Sequence, residues 1–172
     1  ARAVGEPKFV VANGDEGDPG SFIDRELMER DPHSILEGMA ICAHAVGASR
    51  GIVFIRSEYP VASDVMRRAI ESATSRGFLG PNALGAQRGF DVEVVVGMGS
   101  YVCGEETALL AAIEGQRGEV WPRPPFPVDA GVFGKPTVVD NVETLNNVPW
   151  IMVHGAEAFG AMGSPDSKGT KA

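Results

Sequence analysis

The sequence KFVVANGDEGDPG occupies residues 8–20 and changes character in its middle. Lys8 to Ala12 is a short apolar run, which predicts a buried β-strand. Three glycines, one proline and three acids then fall within the eight residues 13–20. Because glycine and proline at this density disrupt regular elements, the segment is expected to be irregular. The pattern predicts a strand that ends in an acidic, glycine-rich loop.

Strand and helix patterns alternate downstream of this loop. A helix is predicted from Ser21 to about Arg30, opened by a capping box of Ser21 and Asp24. A second helix is predicted to start at Asp31-Pro32, with Asp31 as its cap, and to close at Gly47. Further predicted elements are a strand over 51–56, a helix over 60–77, a strand over 90–96 and a helix over 107–114.

This alternation predicts an α/β fold in which a parallel sheet is covered by helices. Ligands of such sheets bind beyond the carboxyl ends of the strands. Two of the three predicted strands end in glycine-rich acidic loops, at 13–20 and at 97–106. We therefore expect the two loops to lie close together, at one edge of one cleft.

The chain changes character after Gly115. Residues 117–136 contain five prolines and few regular signals, which predicts a long ordered loop of the kind that is often functional. Residues 137–144 are expected to lead into a helix that ends near His154, and a short helix is expected over 156–162. We predict one domain over 1–162, followed by a polar segment over 163–172.

Composition excludes several classes of function. The net charge is -8 and no basic stripe is present, which argues against nucleic acid and anionic membranes as partners. The two cysteines, Cys42 and Cys103, form no C-x-x-C pattern, so this chain alone supplies no zinc or iron–sulfur site. No signal segment or apolar span is seen, and we expect a cytoplasmic protein whose natural chain starts upstream of Ala1.

The loop over 97–106 supports two interpretations. Its strand–turn–helix pattern points backbone N–H groups at one spot, but it lacks the dinucleotide and P-loop fingerprints. Glu105 and Glu106 would repel a phosphate and suit a neutral ring or a ribose hydroxyl. Alternatively, both acids only stabilise the positive N-terminus of the following helix, and the local pattern by itself favours this second interpretation.

The other loops also keep alternatives. Asn13 can donate and accept, as the edge of a flavin ring requires, whereas a solvated acidic turn or a Ca²⁺ site would use the acids over 15–18. The calcium pattern is incomplete, because the D-x-[DN]-x-[DN]-G spacing is missing. Trp121, Arg123 and Phe126 could form a wall for an adenine, or could belong to a rigid loop that packs on its own domain.

Four motifs resemble those of one known family. Residues 13–25 (NGDEGDPGSFIDR), 99–109 (GSYVCGEETAL), 123–127 (RPPFP) and 134–145 (GKPTVVDNVETL) are similar, in this order, to motifs of the NADH-binding flavoprotein subunit of respiratory complex I. The family includes the diaphorase subunits of NAD-reducing hydrogenases and NAD-dependent formate dehydrogenases. The sequences GDEGD at 14–18 and RSEYP at 56–60 slightly favour a formate dehydrogenase as the parent enzyme.

The resemblance implies a Rossmann-like FMN-binding domain, truncated at both ends, in which NADH passes a hydride to FMN and electrons leave singly to iron–sulfur clusters. The flavin does the chemistry, so no catalytic side chain and no metal ligand is assigned. By position in the motifs, the implied binding residues are Asn13, Asp15, Gly104 and Glu105 at the flavin ring; Asp140, Asn141 and Thr144 near its phosphate; Tyr101 and Asp18 at the nicotinamide; Glu106 at the adenosine ribose; and Phe126 and Arg123 at the adenine.

The chain departs from the family pattern at four motif positions. Asp18 stands where Glu is usual, Gly14 replaces Ala, and Arg123 stands where Lys is common. Asp140 stands where Asn is common and puts a negative charge near the implied phosphate. This last change weakens the phosphate assignment most.

The resemblance also implies features outside these residues. A glycine-rich flavin loop is expected upstream of residue 1, a [4Fe–4S] segment beyond residue 172, and the approach to a β-grasp domain over 163–172. Expected partners are NADH, a thioredoxin-like [2Fe–2S] subunit and other electron-transfer subunits, with only indirect contact to a membrane. The alternative is a structural or interaction module that lost its cofactor, and the intact motif over 101–109 argues against it.

Overall fold

The computed structural model describes residues 3–83 and 89–170. Its central sheet has four parallel strands in the order β3-β2-β1-β4, which confirms the predicted α/β fold. Three strands agree with the predicted ones to within about two residues. The strands are β1 Phe9–Gly14, β2 Arg50–Ile55, β3 Asp91–Val96 and β4 Thr137–Asn141.

Helices and 3₁₀ turns fill the connections. The helices are α1 Ile23–Arg30, α2 Pro32–Val46, α3 Pro60–Ser75, α4 Glu106–Ile113, α5 Pro127–Ala130, α6 Val142–His154 and α7 Ala156–Gly160. The 3₁₀ turns are Tyr101–Gly104 and Val132–Gly134, and a hairpin of β5 Gly163–Ser164 and β6 Ser167–Lys168 follows α7. Within the described ranges, none of the helices is long and apolar enough to cross a bilayer. Lys171 and Ala172, at the end of the predicted 163–172 segment, lie outside the described residues, and the boundary at 162 stays a prediction.

Strand β4 was not predicted, because its residues were expected only to lead into a helix. It pairs in parallel with β1, with Asn13 opposite Asn141. The β-branched run Thr137-Val138-Val139 was the available signal. The chain runs from β1 to β2 to β3 and then crosses to the other side of β1. This reversal makes the gap between β1 and β4 a topological switch point, where ligands of open α/β sheets bind.

Both faces of the sheet are buried at its two central strands, β1 and β2, as expected of a parallel sheet, whereas the edge strand β3 is partly exposed. Along β1, Val10 and Ala12 pack into one core with residues of α1, α2, α3 and α6. Phe9 and Val11 pack into a second core with residues of α4. The molecule is therefore three layers deep, and the carboxyl end of the central strand β1 opens between the helix layers.

Helices α2 and α6 approach each other closely at Gly38. A Cβ at this position would lie 1.9 Å from the carbonyl oxygen of Leu145. Any larger residue would push α6 away, because that contact is with backbone and cannot move alone. This glycine therefore helps to set the position of α6, whose N-terminus adjoins the end of β4.

The predicted helix caps are partly wrong. Helix α1 begins at Ile23 with no side-chain cap from its N-cap residue, and Ser21 Oγ instead donates to Glu16 Oε1 at 2.8 Å. Asp31 is at the N-cap of α2 but accepts no capping hydrogen bond. Pro32 at the first turn and Gly47, with a φ of 75°, start and end α2 as predicted.

The proline-rich segment runs along α4 and is tied to both ends of that helix. Trp121 N donates to Thr107 Oγ1 at 3.1 Å, and Phe133 N donates to Glu114 Oε1 at 2.7 Å. The segment forms a long connection along α4, and unlike the predicted loop it contains the short helix α5 and a 3₁₀ turn.

Candidate functional site

The loops that follow β1 and β3 meet at the carboxyl edge of the sheet, as predicted. Asn13 Nδ2 donates to the carbonyl oxygen of Gly104 at 2.9 Å, across 91 residues of sequence. A cleft of about 670 Å³ opens between the loops, a size common for small-molecule sites. The residues that line it are Asn13, Asp15, Glu16, Gly17, Asp18, Ser21, Ile23, Asp24, Tyr101, Val102, Gly104, Glu105, Asn141 and Glu143.

Asn13 joins the two loops and keeps spare hydrogen-bonding capacity. Its Oδ1 accepts from Asp15 N at 3.1 Å while its Nδ2 reaches Gly104. A side-chain amide has two donor hydrogens and two lone pairs, so one of each remains. The side chain is held in place by the protein and can still offer a donor and an acceptor to the edge of a ring.

The Glu16 side chain caps the start of helix α1. Its Oε1 accepts from Ser21 Oγ at 2.8 Å and from Asp24 N at 3.2 Å, and its Oε2 accepts from Arg25 N at 3.3 Å and Tyr59 Oη at 3.2 Å. The carboxylate therefore does the capping that was predicted for Ser21 and Asp24. With Glu16 so used, the calcium alternative loses a ligand, and no metal-binding group of three or more His, Cys, Asp or Glu side chains occurs among the described residues.

Arg56, just beyond the end of β2, anchors the β1 loop by a hydrogen bond. Its Nη1 donates to the carbonyl oxygen of Glu16, and its Nη2 donates to Glu58 Oε1 at 2.7 Å. Burial raises the pKa of Asp15, and the nearby guanidinium of Arg56 offsets part of that rise. No role at the cleft was predicted for Arg56, because nothing local to it signals a partner 40 residues upstream.

Tyr101 also packs against the β1 loop. A Cβ at Gly17 would lie 2.6 Å from the Tyr101 ring, so only glycine allows this approach. The Tyr101 hydroxyl donates to Asp18 Oδ1 at 2.8 Å, and this hydrogen bond raises the pKa of Tyr101. The ring is 70% exposed. The two residues assigned to the nicotinamide thus lie side by side at an accessible position.

Asp24 is a buried acid of the cleft that was predicted only as part of a capping box. It is 5% exposed, and Asn141 Nδ2 donates to its Oδ2 at 2.8 Å. Burial raises its pKa to about 6, and the charge of Glu16 adds to that rise, while the Asn141 hydrogen bond opposes it. Asn141 also caps α6, since its Oδ1 accepts from Glu143 N at 2.8 Å. Burial is the property that the local pattern did not show.

Glu105 is the N-cap of helix α4. Its Oε2 accepts from Thr107 N at 2.8 Å, from Ala108 N at 3.1 Å and from Thr107 Oγ1 at 2.5 Å. Burial works against the charged form, but these hydrogen bonds outweigh it and lower the pKa of Glu105. The helix-stabilising interpretation is therefore correct for this residue, which nevertheless lines the cleft.

Glu106, Arg123 and Phe126 lie outside the cleft lining. Arg123 Nη1 donates to Glu106 Oε1, and Arg123 Nη2 lies 3.7 Å from Glu105 Oε1. Phe126, three residues further along the segment, is 52% exposed. The structure brings the implied ribose and adenine residues Glu106 and Arg123 into one ion pair.

Asp140 and Thr144 are not brought to the cleft. Asp140 pairs in register with Ala12, which belongs to the core beneath α2. Burial raises the pKa of Cys42, and the charge of Asp140 adds to that rise. Burial also raises the pKa of Asp140 itself. Thr144 is exposed on α6. Of the three residues implied at a phosphate, only Asn141 lines the cleft.

The cleft residues fit one end of FMN better than the other. Asn13 offers a donor and an acceptor to a flavin ring edge, beside the partly buried Asp15. The described residues that line the cleft include no Lys or Arg, whereas the carboxylates of Asp15, Glu16, Asp18, Asp24, Glu105 and Glu143 are among them. A phosphate would be repelled there, so the described residues fit the ring and not the phosphate.

Comparison with known proteins assigns the family. Residues 1–150 match the family profile described as the Nuo51 FMN-binding domain. The NADP-reducing hydrogenase subunit HndC of Solidesulfovibrio fructosivorans is 50% identical, over 96% of this chain and 34% of that protein. A subunit of the NADH-quinone oxidoreductase of Aquifex aeolicus is 48% identical, over 96% of this chain and 39% of that protein.

Further relatives agree in sequence and in fold. The alpha subunit of the NAD-reducing hydrogenase HoxS of Cupriavidus necator is 46% identical, over 98% of this chain and 28% of that protein. A crystal structure of NAD⁺-reducing [NiFe]-hydrogenase in the H₂-reduced state superimposes with a TM-score of 0.87 at 40% identity, over 97% of this chain and 28% of that one. The chain thus spans between about a quarter and two fifths of the length of these relatives.

Proposed function

Because this chain belongs to the Nuo51 FMN-binding domain family, we propose that its cleft binds FMN and NADH and serves the oxidation of NADH. The observation that carries the proposal is the hydrogen bond from Asn13 Nδ2 to the Gly104 carbonyl. This bond closes the two motif loops around one cleft at the switch point of the sheet, where such folds bind nucleotides.

When bound, FMN would supply the redox chemistry, since a flavin accepts a hydride from NADH and passes electrons on one at a time. The chain's own residues bind and orient. Asn13 would hold the polar edge of the ring with its remaining donor and acceptor, and Asp15 would lie beside it. Glu105 and the Gly104 backbone would form the facing wall, held by the cap of α4.

Tyr101 and Asp18 would receive the nicotinamide end of NADH. Their mutual hydrogen bond holds the phenol over the Gly17 backbone and fixes one side of the entrance. Glu106 would accept hydrogen bonds from the adenosine ribose, and Phe126 with Arg123 would flank the adenine. Of the residues expected near the FMN phosphate, Asn141 faces the cleft, whereas Asp140 and Thr144 lie outside its lining, and their role at the phosphate stays a prediction.

The proposal extends to partners through the relatives. Their names describe subunits of quinone oxidoreductases and of NAD- or NADP-reducing hydrogenases. We propose that this chain serves an enzyme of that kind. The electrons would pass to iron–sulfur centres, among them a [4Fe–4S] cluster and the [2Fe–2S] cluster of a thioredoxin-like subunit. A formate-dehydrogenase parent and a cytoplasmic location stay predictions.

The test measures FMN binding to the native protein through the quenching of flavin fluorescence. It also measures the rate at which the protein oxidises NADH with an artificial one-electron acceptor. Asn13→Ala removes the joining amide and should weaken FMN binding by about tenfold or more. Asn82→Ala, at an exposed position outside the cleft lining, is the matched control and should bind FMN normally. A native protein that binds no FMN would contradict the proposal and favour an interaction module without cofactor.

A further inference from the structure

The ion pair at the rim of the cleft joins residues of two different segments. Glu106 is the first residue of α4, and Arg123 lies in the proline-rich segment, 17 positions later. The side chains are 30% and 42% exposed, so the pair is reachable from solvent but not fully screened by it. The segment that carries Arg123 is anchored two residues earlier, where Trp121 N donates to Thr107 Oγ1. Arg123 is thereby held over the start of α4.

The two neighbouring glutamates differ in how they are used. Glu105 Oε2 has three donors from Thr107 and Ala108 and is fixed as the helix cap. Glu106 has Arg123 as its only side-chain partner among the described residues. A ligand that displaces the arginine can therefore reach Glu106 without breaking the helix cap.

The chemistry of the pair bears on which dinucleotide is bound. A lone carboxylate accepts hydrogen bonds from the ribose 2′-hydroxyl and repels a 2′-phosphate. A guanidinium has the opposite preference, because its fork of donors matches phosphate oxygens in a bidentate manner. Arg123 pairs with Glu106 and also lies 3.7 Å from Glu105, so it offsets only part of the negative charge of the two glutamates. The arginine can turn from the carboxylates to a phosphate that lies beside them.

We propose that Arg123 is a specificity-determining residue that weakens, without removing, the exclusion of NADPH by Glu106. The inference rests on the proposed function, since it assumes that the ribose lies at Glu106. Arginine at position 123 has this effect by its shape as well as its charge. A lysine there would keep the charge and lose the planar fork.

The experiment measures dissociation constants of NADH and NADPH, and kcat/KM for both, in the native protein and in three variants. Arg123→Ala should weaken NADPH binding by about tenfold relative to NADH, the size of a charge-assisted hydrogen bond. Arg123→Lys should fall between the parent and Arg123→Ala. Arg117→Ala removes a positive charge from the same segment, where Arg117 pairs with Glu119 at the surface, and should leave the ratio unchanged.

The outcomes separate the two proposals. A rise in the preference for NADH in Arg123→Ala, absent in Arg117→Ala, supports the inference. NADH binding with a preference unchanged by Arg123→Ala and Arg123→Lys overturns the inference and leaves the proposed function standing. A native protein that binds neither dinucleotide overturns both.

Discussion

The loop after β1 and the loop after β3 are alike in composition, yet they use their glutamates at different ranges. In the β3 loop, Glu105 caps the helix that begins at the next residue, with donors two and three positions away. In the β1 loop, Glu16 caps a helix that begins seven residues later and also accepts from Tyr59, 43 residues away. The first arrangement is local and the second is tertiary.

This difference decides which acids remain for a ligand. Capping removes Glu105 Oε2 and both oxygens of Glu16 from use. Asp15, Asp18 and Glu106 cap no helix. Asp18 accepts a hydrogen bond from Tyr101, and Glu106 accepts one from Arg123. The acids available for binding therefore lie within two residues of the capping glutamates.

Replacing Glu16 should have the largest effect on stability. Glu16→Ala leaves the N–H groups of Asp24 and Arg25 without their acceptor at a buried position, which should lower the free energy of unfolding by about 3 kcal/mol. Glu16→Gln keeps one oxygen and should cost about half as much. Chemical denaturation of the native protein measures both. Glu119→Ala, at an exposed site, should stay within about 0.5 kcal/mol, and an equally small loss in Glu16→Ala would refute the tertiary cap.

Asp24 should make stability depend on pH. Its folded pKa of about 6 lies above the ordinary 3.8, so the folded state holds the proton more tightly. Its contribution to stability is complete below about pH 4 and is lost as the pH rises through 6. Asp24→Asn should therefore be more stable than the parent by about 2 kcal/mol at pH 7, with the gap closing near pH 4.

Denaturation at pH 4, 5, 6 and 7 measures that gap. Asp64→Asn on the surface of α3 controls for the loss of one negative charge. A gap between Asp24→Asn and the parent that does not change with pH would show that the buried carboxyl titrates normally.

The local cap of the β3 loop should be worth less than the tertiary one. Glu105→Ala removes the acceptor of Thr107 N and Ala108 N at the start of α4, which should cost about 1 kcal/mol. Glu105→Gln retains an oxygen acceptor and should recover part of the loss. The comparison breaks down if Glu105→Ala destabilises the protein more than Glu16→Ala in the same denaturation series.

Glu106 should affect selectivity and hardly affect stability. Glu106→Gln keeps the shape of a side chain that caps nothing, so the free energy of unfolding should change by less than about 0.5 kcal/mol. The preference for NADH over NADPH, measured as a ratio of kcat/KM, should narrow several-fold because the charge that repels a 2′-phosphate is gone. An unchanged ratio would contradict its ribose role.

Much of the fold could be read from the sequence, because the signals are local. Apolar runs such as residues 9–12 predict strands, the spacing of apolar residues predicts helices, and glycines mark the loops between them. Since parallel strands end at the same edge, their alternation with helices already placed the two acidic loops together. The family resemblance, carried by the same motifs, is confirmed by the match over residues 1–150.

The rest depended on residues that are distant in sequence. The short β-branched run of β4 did not by itself establish a strand, and its pairing with β1 did, since a strand needs a neighbour for its hydrogen bonds. The burial that raises the pKa of Asp24 comes from elements packed around it, and the Glu106–Arg123 pair joins two segments. Local sequence determines where the chain extends, coils and turns. Only the tertiary structure decides which polar groups lose water and which distant partners replace it, and those choices set the chemistry of the cleft.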